Sequence, residues 1–195
     1  LVELDFPVQG PVVASLNDGP HSTELMPWGI ERSGFTGEEG SGVEVYVLDS
    51  GVYTHDLNVV ERKDFTSLFT NRDQTTWDDT AIQAQPFFDP GDTGNPNDES
   101  GHGTHVAGTI AALNNGAGVV GMAPNAEIHS LKVLTADGRT DITTLMAALD
   151  YVIVQHQLRP STPKVVNLSL GMDIESTAYN ILDEAVQRVI DNGVT

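Results

Sequence analysis

Three mostly apolar, β-branched segments constrain the fold of this 195-residue chain more than any other feature. They lie at 43–48, 128–134 and 165–170. Short apolar runs of this kind are typical of parallel strands that are buried on both faces. Helical stretches separate or follow them. The alternation predicts an α/β fold, in which a mostly parallel sheet forms the middle of three layers and helices cover both of its faces.

Two of the helical stretches are amphipathic, with apolar residues spaced three or four apart on one face. The first carries Ile142, Leu145, Met146, Leu149, Val152 and Ile153, and the second Leu182, Ala185, Val186, Val189 and Ile190. Asn192-Gly193 supplies a stop signal after the second. A third stretch, 104–113, is built from small residues that allow close packing.

The charge of the chain limits its partners. It has 28 Asp and Glu against 9 Lys and Arg, which gives a net charge of −19. Such a surface repels nucleic acid and anionic membranes, so we expect neither as a partner. No apolar run is long enough for a membrane span, and the absence of cysteine excludes disulfides. We expect a monomer, whose acidity serves solubility, cation binding or a saline environment.

Two polar motifs carry the chemistry. Asp49 ends the first apolar run, in Val45-Tyr-Val-Leu-Asp-Ser-Gly51, and His102 lies in a glycine-flanked turn, in Glu99-Ser-Gly-His-Gly-Thr-His-Val-Ala-Gly108. Ligands of open α/β sheets bind beyond the carboxyl ends of the strands, where Asp49 is expected. A histidine oriented by a carboxylate is the proton-handling half of a nucleophilic hydrolase.

Both motifs, in this order, resemble the Asp and His signatures of the subtilisin-like serine peptidases, and the resemblance spans residues 26–195. It implies a secreted endopeptidase that hydrolyses peptide bonds by acyl transfer with an Asp-His-Ser triad. Asp49 would orient His102, which would act as general base and then general acid. The serine would lie beyond Thr195, because no Gly-Thr-Ser-Met-Ala-like segment occurs here. We therefore expect this part alone to be inactive and the sheet to be incomplete at its C-terminal end.

The resemblance also implies a division of the chain. Residues 1–22 resemble the end of the family's inhibitory propeptide, which acts as inhibitor and folding aid; a plain N-terminal extension is the alternative. Residues 23–195 correspond to the N-terminal part of the catalytic domain. Within it, an acidic segment at about 70–98 makes the spacing between Asp49 and His102 long, and we interpret it as an inserted surface loop.

The resemblance further implies where a polypeptide substrate binds. The substrate would be the middle strand of three, between Gly138-Arg139-Thr140 on one side and Ser169-Leu170-Gly171 on the other. Leu134, Ile142 and Leu170 would line apolar pockets for its side chains. The alternative is that these are only core and loop residues.

Calcium is the cofactor that the resemblance implies. Leu113-Asn-Asn-Gly-Ala-Gly-Val119 resembles the loop that holds a structural calcium ion in bacterial subtilisins. The implied ligands are the carbonyls of Leu113, Ala117 and Val119 and the side chains of Asn115, Glu24 and Asp56. A glycine-rich turn without metal is the alternative. The acidic residues at 89–99 suggest a second calcium site as a further hypothesis.

Two other functions fit parts of the sequence. A non-catalytic relative would use the same cleft to bind a peptide or a partner protein. A metal hydrolase would use His102 and His105 as a ligand pair, but the sequence lacks a His-Glu-x-x-His pattern.

Overall fold

The computed structural model describes residues 23–37, 39–66, 95–171 and 176–195. Its elements in chain order are β1 (Thr23–Leu25), α1 (Trp28–Arg32), β2 (Glu44–Asp49), β3 (Val59–Asp64), α2 (His102–Ala111), β4 (Ala117–Val119), β5 (Glu127–Lys132), α3 (Ile142–Leu158), β6 (Lys164–Asn167) and α4 (Ser176–Asp191). Residues 1–22 and most of the 70–98 segment lie outside the described residues, so the predicted propeptide and inserted loop stay predictions.

The main sheet has four parallel strands in the order β3-β5-β2-β6. All six residues of β2 are buried, because this strand is paired on both sides and covered on both faces. This position explains the apolar run at 43–48, since a buried parallel strand has no solvent-facing side. A separate pair of short parallel strands joins β1 to β4.

Helices cover both faces of the sheet. Alternate residues of β2 point to opposite sides. Val45 and Val47 pack in one apolar cluster with Ala107 and Ala111 of α2. On the other face, a second cluster includes Tyr46 and Leu48 of β2, Leu145, Leu149 and Val152 of α3, and Ala185 and Val189 of α4. The predicted three-layer α/β fold is therefore confirmed. No helix in the described ranges is long and apolar enough to cross a membrane.

Three details differ from the sequence-based prediction. The ladder of the third run ends at Asn167 instead of continuing to residue 170. Ile190 does not join the buried face of α4 and is 53% exposed, because adjacent helical residues point roughly 100° apart and Val189 already faces the core. Strand β3, with the sequence VVERKD, was not predicted, since it lacks the apolar pattern of a central strand.

Truncation of a core leucine should separate core packing from surface contacts. Leu131 is fully buried near the carboxyl end of β5, whereas Leu158 at the end of α3 is 70% exposed. We expect Leu131→Ala to lower the free energy of unfolding by about 2–5 kcal/mol. Leu158→Ala, the matched control, should change it by less than about 0.5 kcal/mol. Urea unfolding of the intact protein measures both, and equal losses would contradict the assignment of the core.

Candidate active site

Asp49 and His102 form a hydrogen-bonded pair at the carboxyl end of β2. Nδ1 of His102 lies 2.8 Å from Oδ1 and 3.0 Å from Oδ2 of Asp49. The aspartate side chain is fully buried, and the histidine side chain is 14% exposed. Because a carboxylate can only accept, Nδ1 carries the proton and Nε2 presents a lone pair. The arrangement can take a proton from a neighbouring hydroxyl and stabilise the resulting imidazolium.

The pair forms because two glycines let helix α2 begin directly against the end of β2. A Cβ atom on Gly103 would lie 2.2 Å from the carbonyl oxygen of Gly51 and 3.0 Å from Oδ1 of Asp49. Gly101, the residue before the helix, has a φ of 87°, which a residue with a side chain adopts only with strain. The glycines that flank His102 are therefore needed for the approach of helix and strand.

Asp98 anchors the start of the same helix. Its Oδ1 accepts hydrogen bonds from the Ser50 hydroxyl and from the backbone N–H groups of Ser100 and Gly101, at 2.8, 3.1 and 2.8 Å. Its Oδ2 accepts from the backbone N–H and the hydroxyl of Thr104, at 2.8 and 2.6 Å. Burial alone raises the pKa of Asp98, but the hydrogen bonds from Thr104, Ser50 and Gly101 outweigh it and hold the pKa below its ordinary value.

Asp98 belongs to the segment interpreted as a surface loop, yet it is 2% exposed, and both of its oxygens fix the helix that carries His102. The second calcium site suggested at 89–99 stays a prediction, because residues 89–94 lie outside the described residues. Asp98 lies three residues before Gly101, the residue that caps the helix, so it is not at the usual capping position and the sequence did not identify it. What the sequence does not show is that its partners include Ser50, which comes 48 residues earlier.

Ser50 and Lys132 tie the strand ends to the segment before His102. The Ser50 hydroxyl donates to Asp98 and accepts from the backbone N–H of Gly103 at 3.0 Å, so it links β2 to α2. Lys132 is 2% exposed, and its Nζ donates to the carbonyl of Asn97 at 2.7 Å. Neither residue was identified from the sequence, because these contacts join segments far apart in the chain.

The two segments proposed to bind substrate leave the sheet on either side of Asp49. Strands β5 and β6 flank β2, and their carboxyl ends lead into 133–140 and 168–171. Residues 169–171 make no backbone–backbone hydrogen bond within the described part of the chain. Their N–H and C=O groups are therefore available to an added strand.

The individual residues of these segments differ in accessibility. Leu134 is fully buried in the core and presents no surface to a ligand, whereas Leu170 and Ile142 are half-buried. Gly138 and Arg139 belong to a turn in which the backbone N–H of Thr135 donates to the carbonyl of Arg139 at 2.9 Å. Thr140 and Ser169 are half-buried, and Gly171 is exposed.

The residues of the proposed calcium loop come together at the exposed β1–β4 pair. Glu24 pairs in register with Gly118, between Ala117 and Val119. Its Oε1 accepts from the backbone N–H of Asn115 at 2.9 Å.

Asp56 reaches the same loop. The side-chain amide of Asn115 donates to its Oδ1 at 2.5 Å, and the backbone N–H of Leu113 donates to its carbonyl at 3.1 Å. The donor set is made entirely of oxygens, which suits calcium. The sequence alone did not show whether Asp56 lies near the proposed calcium loop. In the structure it contacts this loop.

His105 lies apart from the Asp49–His102 pair. It is exposed on α2, one turn beyond His102. One cluster of histidine and carboxylate side chains with metal-ligand spacing occurs among the described residues, and it includes neither histidine. The geometry thus favours the orientation of His102 by a carboxylate over a two-histidine metal site.

Comparison with known proteins places this geometry in a family context. A sequence profile described as the subtilase family matches residues 40–194. The chain is 39% identical over 177 residues to subtilisin BL of Lederbergia lenta, covering 88% of this chain and 54% of that protein. It is 35% identical over 193 residues to an alkaline protease of Alkalihalobacillus alcalophilus, covering 94% of this chain and 42% of that protein.

Solved structures show the same similarity. Sphericase superposes with a TM-score of 0.67 at 28% identity, over 89% of this chain and 52% of that one. A protein titled S41 psychrophilic protease superposes with a TM-score of 0.63 at 32% identity, over 90% of this chain and 52% of that one. The chain therefore spans about half the length of the relatives that it matches.

Loss of the Asp98 charge should weaken the fold in a pH-dependent way. The folded-state pKa of Asp98 is lowered, so its contribution to stability is present above the unfolded pKa of about 3.9 and is lost as pH falls through the folded value. We expect Asp98→Asn to lower the free energy of unfolding at pH 7 by about 1–3 kcal/mol and to flatten its decline in acid. Unfolding by urea across this pH range tests both effects, with exposed Glu31→Gln as control. Parallel acid profiles of wild type and Asp98→Asn would contradict the role of this carboxylate.

Proposed function

The chain belongs to the subtilase family, and we propose that the protein it forms part of is a serine endopeptidase acting outside the cell. The observation that carries the proposal is the buried Asp49 held 2.8 Å from Nδ1 of His102 at the carboxyl end of the central strand. Similarity to alkaline proteases supports the reaction class and the extracellular location.

The proposed mechanism follows from the state of the imidazole. The Nδ1–H group of His102 donates a hydrogen bond to Asp49 and keeps its proton. Nε2 of His102 then accepts the proton of a serine hydroxyl as the serine oxygen attacks the peptide carbonyl. Asp49 stabilises the imidazolium, which then gives the proton to the leaving amine. A water molecule then attacks the acyl group while His102 accepts its proton. His102 returns this proton to the serine oxygen, and the acyl group leaves as a carboxylic acid. We propose that the serine lies in sequence beyond Thr195, since residues 1–195 hold no Gly-Thr-Ser-Met-Ala-like segment.

The proposed substrate is an extended polypeptide that adds to the two segments beside Asp49. No backbone group of a described residue bonds Ser169, Leu170 or Gly171, which supports strand addition on one side. Gly138, Arg139 and Thr140 would supply the other side. Of the three proposed pocket residues, Leu170 and Ile142 are half-buried and can contact a substrate side chain. Leu134 is fully buried and would support the pocket wall from behind. We also propose a monomer whose residues 1–22 end an inhibitory, fold-assisting propeptide.

Calcium is proposed as a structural cofactor of the β1–β4 loop. Glu24, Asp56 and Asn115 would supply side-chain oxygens, and Leu113, Ala117 and Val119 would supply carbonyls. The gathering of Glu24 and Asp56 about Asn115 supports this. A bound ion would offset the repulsion of the two carboxylates and hold β1 against β4.

The peptidase proposal is tested by labelling the intact protein with a fluorophosphonate, followed by peptide mapping. We expect a label on a serine beyond Thr195. His102→Ala and Asp49→Asn should lower kcat by about 10⁴- to 10⁶-fold, the range measured for triad variants of serine peptidases, a subtilisin among them. His105→Ala, which changes an exposed histidine on the same helix, is the matched control. An unlabelled, well-folded protein would instead favour the peptide-binding relative, and loss of activity with zinc chelators but not with the fluorophosphonate would favour a metal hydrolase.

Removal of calcium should lower the thermal stability of the intact protein. Ligand binding to the folded state alone raises its stability by about 2.7 kcal/mol at a hundredfold excess over Kd, so chelation should lower Tm by several degrees. Glu24→Gln and Asp56→Asn should reduce this difference, and Glu31→Gln should leave it unchanged. Scanning calorimetry with calcium and with chelator measures the effect. An equal Tm with calcium and with chelator would exclude a structurally important ion.

A further inference from the structure

A second cluster of ionisable side chains lies at the opposite edge of the sheet from Asp49. Glu44 begins β2, and it pairs in register with Glu127, the first residue of β5, and with Lys164, the first residue of β6. His129 follows two residues after Glu127, on the same side of the sheet. Glu44 and His129 are each 4% exposed, whereas Glu127 is exposed. The proposed peptidase mechanism uses none of these residues.

His129 is fixed in one orientation by its neighbours. Its ring stacks on Tyr46 at 4.4 Å, and its Nδ1 lies 2.8 Å from Oε2 of Glu61. A carboxylate oxygen accepts hydrogen bonds, so at this contact Nδ1 of His129 carries the proton and donates to Glu61.

The other ring nitrogen of His129 has no hydrogen-bond partner among the described residues. Nε2 is buried, and Oε2 of Glu44 lies 3.8 Å from it. With Nδ1 donating to Glu61, Nε2 of the neutral ring offers a lone pair. Oε2 of Glu44 already accepts from the Tyr46 hydroxyl at 2.9 Å, so Nε2 is the atom that lacks a partner, and a cation beside it would supply one. The order carboxylate–histidine–cation is the one found around protein-bound metals, where the carboxylate sets the ring tautomer.

We propose that His129, Glu44 and Glu127 form a binding site for a divalent transition-metal ion of the zinc class. One ligand atom of each residue lies within 4.8 Å of the others. One imidazole nitrogen and two carboxylate oxygens suit zinc, and a water molecule completes a four-coordinate shell. The exposed Glu127 provides the entry path from solvent. The ion joins the beginnings of β2 and β5 and has a structural role.

The surrounding charges favour an added cation. Three carboxylates face His129 or its ligand partners: Glu44, Glu61 and Glu127. Two cations contact the same Oε2 atom of Glu44, Arg159 at 3.1 Å and Lys164 at 3.4 Å. Lys63 also acts on Glu61, so Glu127 is the one of the three carboxylates that makes no ion pair with a described residue, and a bound metal ion would offset its charge.

Titration of the metal-free intact protein with zinc chloride, with calcium saturating, tests the site by calorimetry. We expect one zinc ion bound per chain. His129→Gln and Glu127→Gln should weaken binding by at least about tenfold, and Glu61→Gln, which acts through His129, by about 10- to 100-fold. Glu31→Gln and His105→Ala should leave the Kd unchanged, since they alter a surface carboxylate and a surface histidine elsewhere. Because Glu127 is exposed, its variant should stay folded even if His129→Gln does not.

Cobalt substitution supplies a second readout. A bound Co²⁺ with a nitrogen ligand should give a visible absorption band that is lost in His129→Gln. Zinc affinity unchanged in both His129→Gln and Glu127→Gln would overturn the proposal. So would a protein that binds no zinc while NMR shows His129 protonated at both ring nitrogens, because a proton would then fill the position of the ion. Neither result depends on peptidase activity.

Discussion

The structure depends on how closely helix α2 approaches the end of β2. At the first turn of the helix, Gly103 lies so near the carbonyl of Gly51 that no side chain fits between them. The backbone of α2 thus contacts the backbone that follows β2, and this contact brings Asp49 and His102 within hydrogen-bond distance. Ser50 and Asp98 then hold the two elements in place with hydrogen bonds. The imidazole is thereby oriented without a substrate, which is the preorganisation that proton transfer requires.

The central part of the fold could be predicted from the sequence, whereas its edges and long-range contacts could not. The run at 43–48 is apolar because β2 is buried on both faces, and this burial leaves a local pattern in the sequence. Strand β3 is an edge strand with Glu61, Arg62 and Lys63 in its middle, so its pairing with β5 leaves no such pattern. The same applies to the site. The Asp49 and His102 motifs are local, but the partners of Asp98 become visible only when β2 and α2 meet.

The parallel strands begin at the amino edge of the sheet and end at its carboxyl edge. The charged residues at these two edges have different surroundings. At the carboxyl edge, Asp49 holds a histidine whose side chain is 14% exposed. At the amino edge, Glu44 accepts from Tyr46 and pairs with the buried Lys164 and with Arg159, whose side chain is 46% exposed. Buried ionic contacts add little net stability but penalise any register that separates the partners. The charged amino edge therefore favours the alignment of β2, β5 and β6, on which the geometry at the carboxyl edge depends.

The position of β2 in the middle of the sheet also has a kinetic consequence. Its partners come far later in the chain, with Glu44 opposite Glu127 on one side and Lys164 on the other. During synthesis, this apolar strand leaves the ribosome with both edges unpaired. It must close two long loops before either neighbour contributes to stability. Parallel strands joined in this way fold slowly, and β2 stays exposed as an aggregation-prone segment until β5 and β6 have been made.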